Sequence, residues 1–241
     1  MLLIAIALSA FIATLIGGLF ALYLKDRLHL ILGFSAGAII GVAFFELLPE
    51  ALELGGDTYN NTTITTFVAL GFMVYMILDR FVGFHSHADD SVHSGHVDQG
   101  ILGAGSLSLH SFLDGVAIGL AFQVSAAVGA VVTTAVLVHD FSDGINTVNL
   151  ILKNKGKVKT AFKWLIADAI APVLGIFSTL FFSLDEGSLG IVLALFCGFF
   201  LYIGASDLLP ESHHNHPRIL TTVMTVVGMV VMFVAITLAG V

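Results

Sequence analysis

The phrases HSFLDG, with His110, Ser111 and Asp114, and HDFSDG, with His139, Asp140 and Asp143, match at His, Phe, Asp and Gly. In each, the His and the second acid stand four residues apart, so on a helix both project from one face, a turn apart. Ser111 to Asp114 and Asp140 to Asp143, three apart, widen each polar stripe. Neutral imidazole nitrogen and carboxylate oxygen together suit zinc, iron or manganese, whereas calcium and magnesium prefer all-oxygen shells. A lone His on an apolar helix commonly just hydrogen-bonds across an interface. Two HxxxDG segments in succession point instead to one divalent-cation site.

Other ionisable residues lie in equally apolar surroundings: Asp168 in LIADAIAPVLG, Glu46 in GVAFFELLPEA and Asp207 in YIGASDLLPES. Asn146 and Asn149 continue the polar face of HDFSDG, as a water-accessible path or as a row of interhelical hydrogen bonds. Pro172 is expected to kink its helix and free a carbonyl near Asp168. Pro49 and Pro210 are expected to terminate theirs. The tract FHSHADDSVHSGHVDQG holds His85, His87, His93 and His96 with Asp89 and Asp90, and a second set, His213, His214 and His216, follows Glu211. Such tracts chelate metal weakly, or are simply solvated loops.

The elements that must hold these residues follow from composition. Of 241 residues, 57% are hydrophobic and 11% charged, with a mean hydropathy of +1.01. A soluble domain of this length cannot hide that much apolar surface. Apolar runs at 2–24, 28–48, 64–84, 101–123, 127–152, 161–184, 188–209 and 219–241 predict eight membrane-spanning helices, each near the ~20 residues a bilayer requires. The chain is thus expected to be an all-α polytopic membrane protein with a single transmembrane domain. The first run lacks a basic flank and is too long for a secretory h-region, so it reads as a retained helix. His110 and His139 then fall near the midplane of a hydrocarbon core about 30 Å thick. Ionisable residues placed there are functional candidates by default.

Orientation follows from charge. All 9 Lys and Arg fall in or beside the connections after the first, third, fifth and seventh spans, which the positive-inside rule places in the cytosol with both termini outside it. The His tracts then face the cytosol. Glu50, Glu53, Asp57, Asp185 and Glu186 fall on the outer side, where an acidic vestibule would gather cations. Asn60-Asn61-Thr62-Thr63 carries overlapping glycosylation sequons, relevant only in a host that uses them. The lone Cys197 permits no intrachain disulfide, and the basic loop after the fifth span is too short to serve nucleic acid.

ELLPE (Glu46 to Glu50) recurs as DLLPE (Asp207 to Glu211) on the second and seventh spans, which cross the membrane in opposite senses. With the HxxxDG duplication, this predicts a 3+2+3 inverted repeat, spans 1–3 mirrored by 6–8 and span 4 by span 5. Glu46 and Glu50 would then gate the outer mouth, and Asp207 and Glu211 the inner.

These residues together resemble the ZIP (Zrt/Irt-like) family of divalent metal transporters, over most of the chain. The family pattern is similar to HNxxEG on the fourth span and HExxEG on the fifth. The resemblance implies metal ligation by His110, Ser111, Asp114, His139, Asp140 and Asp143, and import into the cytosol across the plasma (inner) membrane. Zinc is the expected cargo, with iron, manganese or cadmium besides, and no organic cofactor; the resemblance also implies a homodimer. Family members often carry Glu-Pro on the sixth span where this chain has Ala171-Pro172; Asp168, a turn earlier, is the available carboxylate. The family binds two metals at the transport site; with these substitutions a single-metal site is an alternative. An intramembrane metalloenzyme would draw on the same cluster, but no HExxH motif or paired nucleophile accompanies it.

Overall fold

The computed structural model describes residues 2–21, 28–87, 95–214 and 219–239. Among these it is all-helical, and eight helices are long and apolar enough to cross a membrane. We label them α1 (Leu2–Ala21), α2 (28–56), α3 (Asn61–His87), α4 (Gly95–Val124), α5 (Ala126–Lys153), α6 (Val158–Ser178), α7 (186–214) and α8 (Ile219–Ala239). Polar side chains start several of them. Asn60 Oδ1 accepts from the Thr63 N–H at 2.8 Å, Ser125 Oγ from Val128 at 3.1 Å, and Asp185 Oδ2 from Ser188 at 3.0 Å. Each occupies a donor that the first helical turn leaves unpaired. The Ser188 N–H, seconded by its hydroxyl, holds the Asp185 carboxyl below the usual carboxylate range.

Two helices depart from α geometry at matching points. Within α2, Ala43–Leu47 forms a π-turn in which the Leu48 N–H reaches the Ala43 carbonyl. Within α7, Ile203–Leu208 does the same, with the Leu209 N–H on Gly204. Proline follows at once in both, at Pro49 and Pro210. Proline cannot donate to the carbonyl four residues back and its ring crowds that group, so the wider turn relieves the clash. Neither proline ends its helix: α2 runs on to Gly56 and α7 to His214. The expectation that they act as terminators is therefore corrected. The duplicated phrase encodes a π-turn followed by a further helical stretch. In α6, Pro172 lies inside a helix that continues to Ser178.

The helices pack as two groups, α1, α4, α5 and α6 in one and α2, α3, α7 and α8 in the other. The pairings obey the inverted repeat: α1 on α5 matches α6 on α4, and α2 on α8 matches α7 on α3. Glycine makes these contacts close. A methyl group on Gly17 would meet the carbonyl of Phe141, and one on Gly144 that of Thr14; in the mirror pair, Gly175 faces the carbonyl of Phe112 and Gly115 that of Pro172. The same reciprocity links Gly37 to Thr225 and Gly228 to Phe34, mirrored by Gly198 to Val68 and Gly71 to Leu195. Superposing HSFLDG on HDFSDG lays Gly115 on Gly144 and Phe112 on Phe141; superposing ELLPE on DLLPE lays Gly37 on Gly198 and Phe34 on Leu195. Small residues that let backbones touch are how apolar helices associate in lipid, where burial alone supplies no drive.

Candidate metal centre

α4 and α5 are antiparallel neighbours joined at Ser125. The four-residue spacing of each HxxxDG segment brings its two side chains to the shared face. One donor atom from each of His110, Asp114, His139 and Asp143 lies within 4.8 Å of all the others, and all four residues are buried. Asp114 Oδ2 is 3.1 Å from both His110 Nε2 and His139 Nε2. Asp143 Oδ2 is 3.6 Å from His110 Nε2 and 3.8 Å from His139 Nε2. His139 Nδ1 lies 3.0 Å from the Ala135 carbonyl one turn back. That contact suits a proton on Nδ1, so that a bound cation would replace the hydrogen bond that Nε2 makes here to Asp114 Oδ2 at 3.1 Å. The two imidazole rings face each other at 5.6 Å, tilted by 33°.

The four His–Asp separations fit a tetrahedral ion. Zinc bonds to His nitrogen and carboxylate oxygen run about 2.0–2.2 Å, so tetrahedral donors stand roughly 3.3–3.6 Å apart. The four cross-distances, from 3.1 to 3.8 Å, bracket that edge. His110 Nε2 and Asp143 Oδ2 have no hydrogen-bond partner among the described residues. Two carboxylates in so buried a place carry a large electrostatic cost that a divalent cation offsets.

The remaining candidates divide. Ser111 points to Asp168: its hydroxyl donates to Asp168 Oδ1 at 2.8 Å, and the Thr147 hydroxyl donates to Asp168 Oδ2, also at 2.8 Å. Three helices are thereby tied by one fully buried carboxylate. The sequence reading passed over Thr147, although it stands one turn beyond Asp143 on the same face of α5. Asp140 is also fully buried, and neither of its carboxylate oxygens has a partner among the described residues. Asn146 is half-buried on α5. Glu46 lies in the first π-turn, 2% exposed, with Oε1 unpartnered among the described residues; Glu50, one turn on, is half-buried. Asp207 occupies the equivalent place in the second π-turn. The side chains of Asp207 and Glu211 lie outside the described residues, as do those of His85, His87, His96, His213 and His214, and the whole of His93 and His216.

Comparison with known proteins follows the same lines. The family model for the ZIP zinc transporters matches residues 1–102 and 85–236. The chain belongs to the ZIP zinc transporter family. It is 26% identical to the zinc transporter ZupT of Corynebacterium aurimucosum, over 97% of this chain and 96% of that protein. It is 30% identical to the human zinc transporter ZIP4 over 43% of this chain and 16% of that protein. With the zinc transporter foi of Drosophila melanogaster it shares 27% identity over 50% of this chain and 17% of that one. Membership in this family, with the eight apolar helices, makes the chain an integral membrane protein.

Proposed function

We propose that this chain carries zinc across the membrane into the cytosol, binding it in transit between His110, Asp114, His139 and Asp143. The observation that carries the reading is the two-nitrogen, two-oxygen donor set at near-tetrahedral spacing between α4 and α5. Membership in a family of zinc transporters supports the cargo, and the name of the Corynebacterium relative agrees with it. Iron, manganese and cadmium, which accept the same donors, are the further cargo. Ser111, Asp140 and Asp168 extend the site as further ligands, and Asn146 continues the path beyond Asp143.

In this reading both termini lie outside the cytosol, an orientation the distribution of basic residues supports, and the membrane is the plasma (inner) membrane. Ions are gathered at the acidic outer loops and pass Glu50 and Glu46. They leave by Asp207 and Glu211 towards the His tracts at 85–96 and 213–216. The single transmembrane domain works as a homodimer and needs no organic cofactor.

The test is radioactive zinc uptake into proteoliposomes. His110→Ala combined with Asp143→Ala removes a nitrogen and an oxygen ligand, and uptake should fall to background. Uptake at the wild-type rate would show that zinc does not pass through this site. Because both imidazoles bind through an unprotonated nitrogen, protons compete with the metal there, and wild-type uptake should weaken as the pH falls.

A further inference from the structure

The inverted repeat gives the metal site two flanks, and their side chains differ. On the α3/α7 flank the His110 ring meets Tyr75, with ring centroids 5.8 Å apart and planes at 84°. Tyr75 is itself backed by Phe199 at 5.7 Å and Tyr202 at 5.5 Å. On the other flank the repeat relates Tyr75 to Met232, Phe199 to Ala38 and Tyr202 to Gly41. The aromatic wall therefore has no counterpart on that flank; among the described residues His110 alone meets a tyrosine, while His139 meets the edge of Phe200 on α7 at 6.0 Å.

We propose that Tyr75 is a positioning residue for the metal site, holding the His110 imidazole so that Nε2 stays aimed at the two aspartates. The inference rests on the metal reading of His110 above. Its physical basis is rotamer control. His110 Nε2 approaches Asp114 Oδ2 at 3.1 Å and Asp143 Oδ2 at 3.6 Å, yet it has no hydrogen-bond partner among the described residues to fix it. His139, by contrast, is anchored through Nδ1 to the Ala135 carbonyl. An edge-on ring fixed by two further aromatic side chains supplies to His110 the restraint that a hydrogen bond supplies to His139. Because Tyr75 stands on α3 and His110 on α4, the contact also makes the donor geometry depend on how the two helix groups sit against each other.

Cobalt(II) serves as the probe, since its visible absorption reports both occupancy and ligand geometry. Purified protein in detergent is titrated with cobalt as wild type, Tyr75→Phe, Tyr75→Leu, Tyr75→Met and Met232→Leu, with the melting temperature of each recorded. Tyr75→Leu and Tyr75→Met should bind cobalt about threefold to tenfold more weakly, the range one aromatic contact supports, and with an altered spectrum. Tyr75→Phe, which keeps the ring, should restore the wild-type spectrum, and Met232→Leu should leave both readouts unchanged. An unaltered affinity and spectrum in whichever aliphatic variant folds would overturn the proposal, and so would an equal loss in Met232→Leu. Failure of the wild type to bind cobalt would instead overturn the metal reading itself.

Discussion

Ser35 on α2 and Ser142 on α5 meet at 3.1 Å, both fully buried. Ser35 also donates to the Val138 carbonyl at 3.2 Å, which uses its one proton and makes Ser142 the donor between the two hydroxyls. At the mirror position, where α7 passes α4, the same two places are held by Phe196 and Leu113, and apolar contacts replace the hydrogen bonds. There α7 packs along α4 less extensively than α2 does along α5, and aromatic rings occupy the flank. The two halves thus share a backbone plan, set by reciprocal glycine contacts and paired π-turns, and differ in what fills the seams between the helix groups. Where side chains are small the helices touch and hydroxyls bond; where they are large the rings keep the helices apart.

The glycines give the largest expected effect, and they test the shared plan. Gly115→Val and Gly144→Val each drive a side chain into a neighbouring carbonyl, of Pro172 and of Thr14. Each should destabilise the fold by about 3 kcal/mol or more, seen as loss of the monodisperse peak in detergent. Tolerance of one but not the other would break the symmetry.

The π-turns come next. Pro49→Ala and Pro210→Ala restore an N–H, so each turn should relax to α geometry and swing Glu46 or Asp207 by about 100°, one residue's rotation. Zinc uptake should fall in both variants. The melting temperature should hold or rise, because proline is about 3 kcal/mol less favourable than alanine inside a helix. A lower melting temperature with unchanged uptake would mean that the π-turns serve packing alone.

The smallest effect belongs to the serine pair. Ser35→Ala should cost about 1 kcal/mol in unfolding free energy, and adding Ser142→Ala should cost little more, since the shared bond is already gone. Full additivity would show that the two hydroxyls do not act on each other.

Much of this was legible in the residues. Eight long apolar runs can form only helices in lipid, since every backbone group must be satisfied within its own segment, and each run became one helix. The pairing of His110 with Asp114 and of His139 with Asp143 was legible because helical spacing is local. The Pro49 and Pro210 turns were read as helix ends because a proline alone does not say whether the chain stops or widens. The packing beyond it decides, here through buried residues such as Ala51 on α2 and Ser212 on α7. Thr147 escaped notice because a hydroxyl on an apolar helix ordinarily bonds back to its own backbone. Only the approach of α6 turned it towards Asp168.

The sequence by itself determined the number of helices, their repeat and which side chains share a helical face, because these depend on spacing along one chain. Tertiary structure alone decided how far each helix is rotated against its neighbours. It sent Ser111 to Asp168 while its neighbour His110 faces Asp143, and it set Tyr75 against His110. Those rotations are fixed jointly by backbone contacts at glycines on separate helices, far apart along the chain, and no local spacing encodes them.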